Sequence, residues 1–378
     1  MRVVIIQSFI KRFRVPFYER LERTLHGDGI ELQVVFGQPD RFNGGDTDIV
    51  SELPFGYRTV NSYFYAGNHS LVWQPALSHL NGADLVIVQQ GNRHLLNHLL
   101  LARRRTGGFR LAFWGHGRNF QGDGLAWLLE RIKAWYSRLA DHWFAYTDRS
   151  RAVLRGLGIP DERITTVNNA IDTCRLTECY ENVSQSELDA LRRRLGLCNG
   201  EAVAVYCGRF SRYKSLDFMC ACAQRIRANC RHFRLILMGE GQQADRVQRF
   251  ASRNPGWVRY LGPQYGREKA AIFRLAACQI MPGAVGLGVL DSLAMQTPLI
   301  TQELDSHGPE IEYLQDGVNG LITASGKQAY TAGVLRFLED RALRDRLVDG
   351  CRRTRQLHTI ERMAECFRQG VLTALARN

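Results

Sequence analysis

The second half of the chain carries cationic side chains at a spacing suited to binding a diphosphate. The segment "YCGRFSRYK" places Gly208 and Arg209 at the end of a β-type run, with Lys214 a few residues further on. A glycine lets the backbone approach a ligand closely. Arginine binds phosphate oxygens as a two-pronged donor and lysine as a point charge. The pattern therefore predicts an anion site, with Glu240 of "LMGEG" at the end of the following strand.

A second phosphate-type feature is the glycine-rich stretch "PGAVGLGVLDSLAMQTP", residues 282–298. Its glycines run into a predicted helix, whose first N–H groups and positive dipole end favour an anion. We expect the N–H groups of Gly286, Leu287 and Gly288 to face the phosphate. Asp291 lies in the first turn, where it is either an ordinary helix-start acid stabilised by the dipole or an acceptor for a ribose diol.

Neither feature has the spacing of the common nucleotide fingerprints. Residues 283–288 do not match GxGxxG, and the chain contains no P-loop pattern. A nicotinamide dehydrogenase and a P-loop ATPase are therefore disfavoured. The ten cysteines form no CxxC pair, and no histidine cluster completes a zinc spacing. We therefore expect mostly buried thiols, no metal and no cofactor.

Strands and helices must alternate to position these groups. Short apolar runs, typical of buried parallel strands, are separated by segments of helical spacing. They fall into two successive series, which predicts two Rossmann-like, doubly wound α/β domains facing each other across a cleft. Ligands of such sheets bind beyond the carboxyl ends of the strands, where the residues named above lie. The expected strands are 2–7, 30–37, 83–90, 109–117, 201–210, 233–241, 258–262, 277–283 and 298–303.

The predicted domains are residues 1–172, residues 173–355, and a C-terminal helix in 356–378 that is long enough to cross back to the first domain. The net charge of +13 indicates an anionic partner: a nucleotide, a phospholipid surface or a nucleic acid. No apolar run approaches the length of a membrane span, and the opening "MRVVIIQSF" is too short for a signal peptide. We therefore expect a cytoplasmic protein.

As an ordered set, the motifs of the second half resemble the retaining nucleotide-sugar glycosyltransferases of the GT-B fold, family GT4. The resemblance covers about 165–325 well and 1–160 weakly. No single piece is specific, but their order along the chain is. The segments are "VNNAID" (167–172), "GRFSRYKSLD" (208–217), "LILMGEGQ" (235–242), "VRYLGP" (258–263), "VGLGVLDSLAMQTPLIT" (285–301) and "HGPEIEYLQDGVNGLI" (307–322).

The resemblance implies a division of roles in the second domain. Gly208, Arg209 and Lys214 would hold the donor diphosphate, and the two cations would stabilise the charge of the leaving group. Glu240 would border the donor site, and Leu261 would lie at the strand end beside the nucleotide base. The nucleotide sugar would be a substrate, with cationic side chains in place of a metal.

The glycine-rich loop departs from the family pattern at two positions. Asp291 takes the place of the family's second glutamate, which binds the ribose, and its side chain is one methylene shorter. Gly283 stands where the family usually carries its first glutamate, near the transferred sugar. Glu310 would either approach the same site or serve the structure after "HGP".

The resemblance also implies that the first domain holds the acceptor. His116, between two glycines in "FWGHGRN", would contact a sugar hydroxyl or stabilise the transition state, although a structural role is an equal alternative. Arg118 and Asn119 follow it as candidate acceptor contacts. Arg14 and Tyr18, in a segment that replaces a glycine-rich turn common in the family, would meet the acceptor or its phosphate. Tyr18 has helix core as its alternative interpretation.

The expected reaction moves a sugar from a UDP- or GDP-linked donor to a hydroxyl of a glycan or lipid-linked acceptor, with retention. Charge and family together favour bacterial surface polysaccharide synthesis, with the protein peripheral on an anionic membrane. The alternatives are an epimerase or phosphorylase with the same fold, and an inactive sugar-nucleotide-binding subunit, which Gly283 suggests. A nucleic-acid-binding protein is the alternative from another class, but the sequence contains no motif for it.

Overall fold

The computed structural model describes residues 1–41, 48–67, 69–104, 106–117 and 135–376. The chain forms two compact units. Unit 1 comprises Met1–Ile171 and Ile360–Asn378, and unit 2 comprises Asp172–Thr359. The units therefore divide after Ile171 and after Thr359, whereas the sequence analysis predicts boundaries after residues 172 and 355.

Unit 1 is built on a parallel sheet whose described strands follow the order β3-β2-β1-β6-β7-β8-β9. Runs such as Val3–Ile6 are buried, as expected for strands covered on both faces. The order reverses between β1 and β6, which pair directly. The elements are β1 (Arg2–Gln7), α1 (Val15–His26), β2 (Glu31–Phe36), β3 (Gly56–Arg58), β4 (Ser62–Ala66), β5 (His69–Trp73), β6 (Leu85–Gln89), α2 (Leu95–Arg103), β7 (Arg110–Gly115), β8 (His142–Ala145), α3 (Asp148–Gly156) and β9 (Ile164–Thr166).

The sequence analysis does not foresee the antiparallel hairpin of β4 and β5. Tyr63 is half-buried and Val72 is buried, while Phe64 and Leu71, which are paired in register, are exposed. Phe64 is 56% and Leu71 46% exposed. The hairpin therefore displays apolar side chains on one face.

Unit 2 contains a six-stranded parallel sheet in the order β12-β11-β10-β13-β14-β15. Numbered within the unit, this is the strand order 3-2-1-4-5-6 of a Rossmann-type fold, and its direction reverses between β10 and β13. The elements are α4 (Thr173–Glu181), α5 (Gln185–Leu195), β10 (Ala202–Cys207), α6 (Leu216–Asn229), β11 (Phe233–Met238), α7 (Ala244–Arg253), β12 (Val258–Gly262), α8 (Gly266–Leu275), β13 (Cys278–Ile280), α9 (Gly288–Ala294), β14 (Leu299–Gln302), β15 (Gly320–Thr323), α10 (Lys327–Glu339) and α11 (Arg341–Thr354).

Local signals in the sequence explain where several helices begin and end. Ser184 and Glu187 form a reciprocal capping box at the start of α5, and Gly196 ends that helix in the left-handed conformation. Thr147 caps α3 through its side chain, and Asp340 caps α11 in the same way. These caps satisfy backbone N–H groups that the first turn of a helix leaves without an internal partner.

The last helix, α12 (Ile360–Ala376), packs into unit 1. Phe367 stacks on Phe144 with ring centroids 4.2 Å apart and lies edge-on to Phe17 at 5.4 Å. Arg368 Nη2 donates to an Asp28 carboxylate oxygen at 2.9 Å. The C-terminal segment thus completes the core of the unit that holds the first 171 residues. Of the ten cysteines, four are buried, and two, Cys174 and Cys198, are exposed, so the expectation of buried thiols holds for part of the set.

Candidate functional site

The strand order of unit 2 places a candidate site where it reverses, beyond the carboxyl ends of β10 and β13. The segment after β10 leads to the 3-10 turn Arg212–Lys214, and the segment after β13 leads to α9. The two segments touch: Ala284 N–H donates to Tyr213 O at 2.8 Å, and Lys214 Nζ donates to Ala284 O. The structure therefore brings together the two phosphate-type features that the sequence analysis predicts separately.

Two glycines hold the loops after β10 and β11 against each other. A Cβ atom at Gly239 would lie 2.0 Å from Gly208 O, and one at Gly241 would lie 2.6 Å from Phe210 O. Neither position tolerates a side chain without moving the backbone. Phe210 N–H donates to Glu240 O at 2.7 Å. This close approach fixes the backbone of the Arg209 and Glu240 loops side by side.

Lys214 is a half-buried cation whose ammonium group lies against the loop after β13. Its Nζ lies 3.9 Å from Met281 Sδ in addition to its bond to Ala284 O. Burial lowers the pKa of Lys214 from its usual value to about 8, and the negative charge of Glu310 acts in the opposite direction. An anionic ligand would favour the protonated lysine in the same way. Arg209, also half-buried, lies at the end of the same strand.

The loop after β13, residues 282–287, is anchored by buried polar side chains of the following segment. His307 Nδ1 accepts a hydrogen bond from Val285 N–H at 2.9 Å, and its Nε2 lies 2.8 Å from Gln302 O. The pair of contacts assigns the proton to Nε2, since Nδ1 must accept and a carbonyl cannot donate. Gln302 Nε2 donates to Pro282 O at 2.8 Å. The sequence analysis does not predict either anchor.

The start of α9 offers backbone donors at the predicted place. The helix begins at Gly288, with Leu287 as its cap residue. Val289 N–H donates to Gly286 O at 3.2 Å and Leu290 N–H to Leu287 O at 3.0 Å. Among the residues that the structure describes, no hydrogen bond engages the N–H groups of Gly286, Leu287 or Gly288. These three consecutive N–H groups lie at the start of the helix, and their binding of an anion stays a prediction.

Position 283 has no room for a side chain. A Cβ atom at Gly283 would lie 2.2 Å from the carbonyl carbon of Lys214 and 2.5 Å from its Cα. The Lys214 backbone therefore occupies the volume that a glutamate at this position would need. The lack of a carboxylate at Gly283 is part of how the two loops pack.

Asp291 forms a buried ion pair that the sequence analysis misses. Its Oδ1 accepts from Lys269 Nζ of α8 at 2.6 Å, and the two side chains are only 10% and 13% exposed. The Asp291 charge helps to raise the pKa of Lys269 against the opposing effect of burial. In the part of the chain that the structure describes, no protein donor engages Asp291 Oδ2. One carboxylate oxygen is thus paired and the other is the candidate for a ribose contact.

Two further predicted residues lie in the same unit. Glu310, in the 3-10 turn Pro309–Tyr313, is buried, with Oε2 close to Gly308 and Gly286. Leu261 packs against the hydrophobic core of unit 2, and its carbonyl accepts from Gln264 Nε2 at 2.8 Å. The Leu261 side chain is therefore partly committed to the core, and its role beside the base stays a prediction.

In unit 1, His116 follows β7, where its loop is fixed by a neighbouring glutamine. Gln90 Oε1 accepts from Gly117 N–H at 3.1 Å, and Gln90 Nε2 donates to Gly117 O at 3.2 Å. Gly117 has a φ of +79°, a conformation that favours glycine. The half-buried His116 ring lies 4.2 Å from that of Tyr146. His116 thus follows the strand end as predicted, and its chemical role stays a prediction.

The structure corrects the acceptor assignment of Tyr18. This residue is 1% exposed in the core of unit 1, where its ring lies 5.3 Å from that of Phe17 and edge-on to Trp114. Burial raises the pKa of its hydroxyl. Tyr18 belongs to the apolar face of α1, since the helix must cover the sheet.

Arg14 has an intramolecular role that the sequence does not reveal. Its Nη1 donates to Asn169 Oδ1 at 2.9 Å, and the guanidinium lies 5.4 Å from the Trp114 ring centroid. The acceptor contact predicted for Arg14 would have to share the group with these partners. Arg118 and Asn119, the other predicted acceptor contacts, lie outside the described residues.

No group of three His, Cys, Asp or Glu side chains among the described residues is placed to hold a metal ion. No helix among them is both long and apolar enough to cross a bilayer.

Family models match both halves of the chain. Residues 17–175 match "Glycosyltransferase Family 4", and residues 201–340 match "Glycosyl transferases group 1". Among curated proteins, D-inositol 3-phosphate glycosyltransferase of Salinispora arenicola is 29% identical over 206 residues, which are 50% of this chain and 45% of that protein. The chain spans about half the length of the curated relatives it matches.

Solved structures share the fold over nearly the whole chain. Anabaena HepE in complex with UDP gives a TM-score of 0.71 at 14% identity, covering 98% of this chain and 99% of HepE. The apo form of WaaB, a lipopolysaccharide outer core galactosyltransferase, gives 0.65 at 15% identity, with 98% and 99% covered. At these identities the likeness establishes the fold alone.

Proposed function

We infer that the chain is a glycosyltransferase of the GT-B fold, with a family 4 domain in residues 17–175 and a group 1 domain in 201–340. We propose that it moves a sugar from a nucleoside-diphosphate sugar to an acceptor hydroxyl with retention of the anomeric configuration. The nucleoside diphosphate of the donor is UDP or GDP. UDP has the additional support that the structural relative HepE was crystallised with UDP and with UDP-glucose.

The observation that carries the proposal is the convergence of cationic and N–H donors where the strand order of unit 2 reverses. Lys214 Nζ reaches the loop after β13, Arg209 lies at the end of β10, and the N–H groups of residues 286–288 lie in the same loop. A diphosphate leaving group develops negative charge as the glycosidic bond breaks. Fixed donors around that charge stabilise the transition state without reorganising.

Retention follows from displacement on the face of the sugar that the leaving group departs from. The departing phosphate oxygen takes the proton of the acceptor hydroxyl, so no protein base is required. Unit 1 is proposed to bind the acceptor, with His116 donating a hydrogen bond to a sugar hydroxyl. Replacing His116 by alanine is then expected to lower turnover more than donor affinity.

We propose a glycan or lipid-linked acceptor of surface polysaccharide synthesis and a membrane-peripheral protein. The net charge of +13 supports an anionic surface, and the structural relatives WaaB and WaaG are described as lipopolysaccharide enzymes. Residues 59–83 contain no Asp, Glu, Lys or Arg, although 23% of the chain is charged. The β4–β5 hairpin lies in this stretch and exposes Phe64 and Leu71, while the Arg41 guanidinium lies 4.1 Å from the Tyr65 ring centroid. Apolar and aromatic groups beside a cation suit the bilayer interface.

A screen of nucleotides against thermal unfolding tests the donor proposal. At 100 times its Kd, a ligand stabilises the folded protein by about 2.7 kcal/mol, which is readily measured. We expect UDP or GDP to protect the wild type, and Arg209→Ala to lose most of that protection. Arg212→Ala removes the same charge from the adjacent 3-10 turn and serves as the control. Unchanged binding by Arg209→Ala would mean that the donor diphosphate is held elsewhere.

A second candidate function is an inactive sugar-nucleotide-binding subunit, because the packing at Gly283 excludes a side chain. It binds the same nucleotides but releases no nucleoside diphosphate in the presence of acceptors. An epimerase would consume the nucleotide sugar without any acceptor, and a nucleic-acid-binding protein would show strongly salt-dependent binding to strands. Product analysis after incubation with a protective nucleotide sugar separates the transferase, the inactive subunit and the epimerase, and a salt titration of nucleic-acid binding tests the fourth alternative.

A further inference from the structure

The loop after β13 has a buried carboxylate against it. Glu310 is 5% exposed, and its Oε2 lies 2.8 Å from the place that a Cβ atom would take at Gly308 and 3.9 Å from the corresponding place at Gly286. Because residues 308 and 286 are glycines, no side chain separates their backbone from the carboxylate. The carboxylate therefore lies against the backbone of residues 286 and 308, and Gly286 belongs to the loop that leads into α9.

No carboxylate can reach this face of the loop from position 283. The backbone of Lys214 fills the space in front of Gly283, as its carbonyl carbon would lie 2.2 Å from a Cβ there. Glu310 reaches the loop from the 3-10 turn Pro309–Tyr313, which follows β14. The carboxylate that lies against the loop after β13 thus belongs to Glu310, in a separate segment of the chain.

The charge of Glu310 decides which part of a donor it suits. It acts on the Lys214 ammonium and offsets part of the burial that depresses the lysine pKa. A carboxylate can only accept hydrogen bonds, and it repels a phosphate. Beside a diphosphate held by cations, it therefore suits the hydroxyl groups of the attached sugar.

We propose that Glu310 recognises the sugar of the donor, with its carboxylate accepting a hydrogen bond from a hydroxyl group of the transferred residue. The proposal rests on the proposed function, since it needs a nucleoside-diphosphate sugar in this site. It makes Glu310 a specificity-determining residue: the substrate class is a nucleotide sugar that carries a hydroxyl at the contacted carbon, and the matching deoxy sugar is discriminated against.

The test compares bare nucleoside diphosphates with nucleotide sugars in Glu310→Gln. The probes are UDP, GDP, UDP-glucose and GDP-mannose, measured by calorimetry on the full chain. Because a charged acceptor is replaced by a neutral one, we expect the affinity for the bound sugar nucleotide to fall about ten-fold. Affinity for the bare diphosphate should stay the same or rise, since a repulsive charge is lost. Glu303→Gln, which removes an exposed carboxylate after β14, is the control and should change neither.

A second variant keeps the test independent of any folding defect in Glu310→Gln. Gly308→Ala would place a methyl group 2.8 Å from Glu310 Oε2, so the carboxylate would have to shift while keeping its charge. The backbone conformation at this position is one that alanine tolerates. We expect the same selective loss of sugar nucleotide affinity, and no further loss when it is combined with Glu310→Gln.

The outcomes separate the two proposals. Equal losses for bare and sugar-linked nucleotides, or no loss in either variant, would overturn the role of Glu310 while leaving the donor site standing. A wild-type protein that binds none of the four probes would refute the proposed function and the inference with it.

Discussion

Removing the Lys269 ammonium should destabilise unit 2 far more than removing an exposed arginine from the same surface. Lys269 Nζ and Asp291 Oδ1 are 2.6 Å apart, and both side chains are nearly buried. At an effective dielectric constant of 20, unit charges at that distance attract by on the order of 6 kcal/mol, most of which offsets their desolvation. Lys269→Met leaves the buried Asp291 charge without its partner, which costs roughly 3–5 kcal/mol.

The double variant distinguishes a broken pair from lost packing. Lys269→Met combined with Asp291→Leu removes both charges, and replacing a buried pair by apolar groups is often neutral or stabilising. We therefore expect the double variant to recover most of the stability lost in Lys269→Met. The control is Arg194→Met, which breaks the exposed pair with Glu268 of α8, whose atoms are 2.9 Å apart and whose side chains are 59% and 53% exposed. It should cost at most about 1 kcal/mol.

Urea unfolding of the four proteins measures these free energies, with nucleotide affinity measured in parallel. The double variant should be stable yet bind the donor nucleotide weakly, because the carboxylate proposed for the ribose is gone. A Lys269→Met variant no less stable than Arg194→Met would show that the pair is compensated by solvent, and the burial argument would fail. Full nucleotide affinity in the double variant would instead remove Asp291 from the donor site.

Four other outcomes are expected. Nucleoside diphosphate affinity should fall as pH rises above about 8, because the lowered pKa of Lys214 means that the folded protein loses this proton at a lower pH than a free lysine side chain would. Lys214→Arg should flatten this pH profile. An equally steep profile in that variant would assign the pH dependence to another group. The contribution of Lys214 to the free energy of unfolding should instead rise with pH between about 8 and the ordinary lysine pKa, since over that range the unfolded chain holds a proton that the folded protein has lost. Tyr18→Phe should leave turnover unchanged while Tyr18→Ala costs roughly 3–5 kcal/mol in denaturant unfolding, and a turnover defect in Tyr18→Phe would restore its acceptor role. Phe64→Ser should weaken flotation with anionic vesicles, whereas Tyr265→Ser, a similarly exposed aromatic in unit 2, should not; equal flotation would remove the hairpin from the membrane contact.

The sequence predicts which residues lie in this site better than it predicts which of their side chains form ion pairs. Strand ends and glycines are local signals, so Arg209, Lys214 and the loop of residues 286–288 are found where parallel strands must end. Lys269 is different, because a lysine within "REKAAIF" gives no sign of its partner, which lies 22 residues away in the chain. The acceptor prediction for Tyr18 is wrong for a related reason. An aromatic residue on an amphipathic helix suits the core and a binding surface equally until the packing of α1 is known.

The lack of a side chain at Gly283 and the position of Lys214 depend on each other. Lys214 reaches Ala284 O only because its backbone lies against Gly283, and a side chain at 283 would push that backbone away. A chain with this arrangement has a half-buried cation beside the loop of residues 282–287 and no carboxylate at position 283. Two acidic groups of the site, Asp291 and Glu310, are both buried and both act on lysines, Asp291 on Lys269 and Glu310 on Lys214. The site therefore balances its charges between neighbouring segments, so a single substitution is expected to disturb a pair rather than one residue.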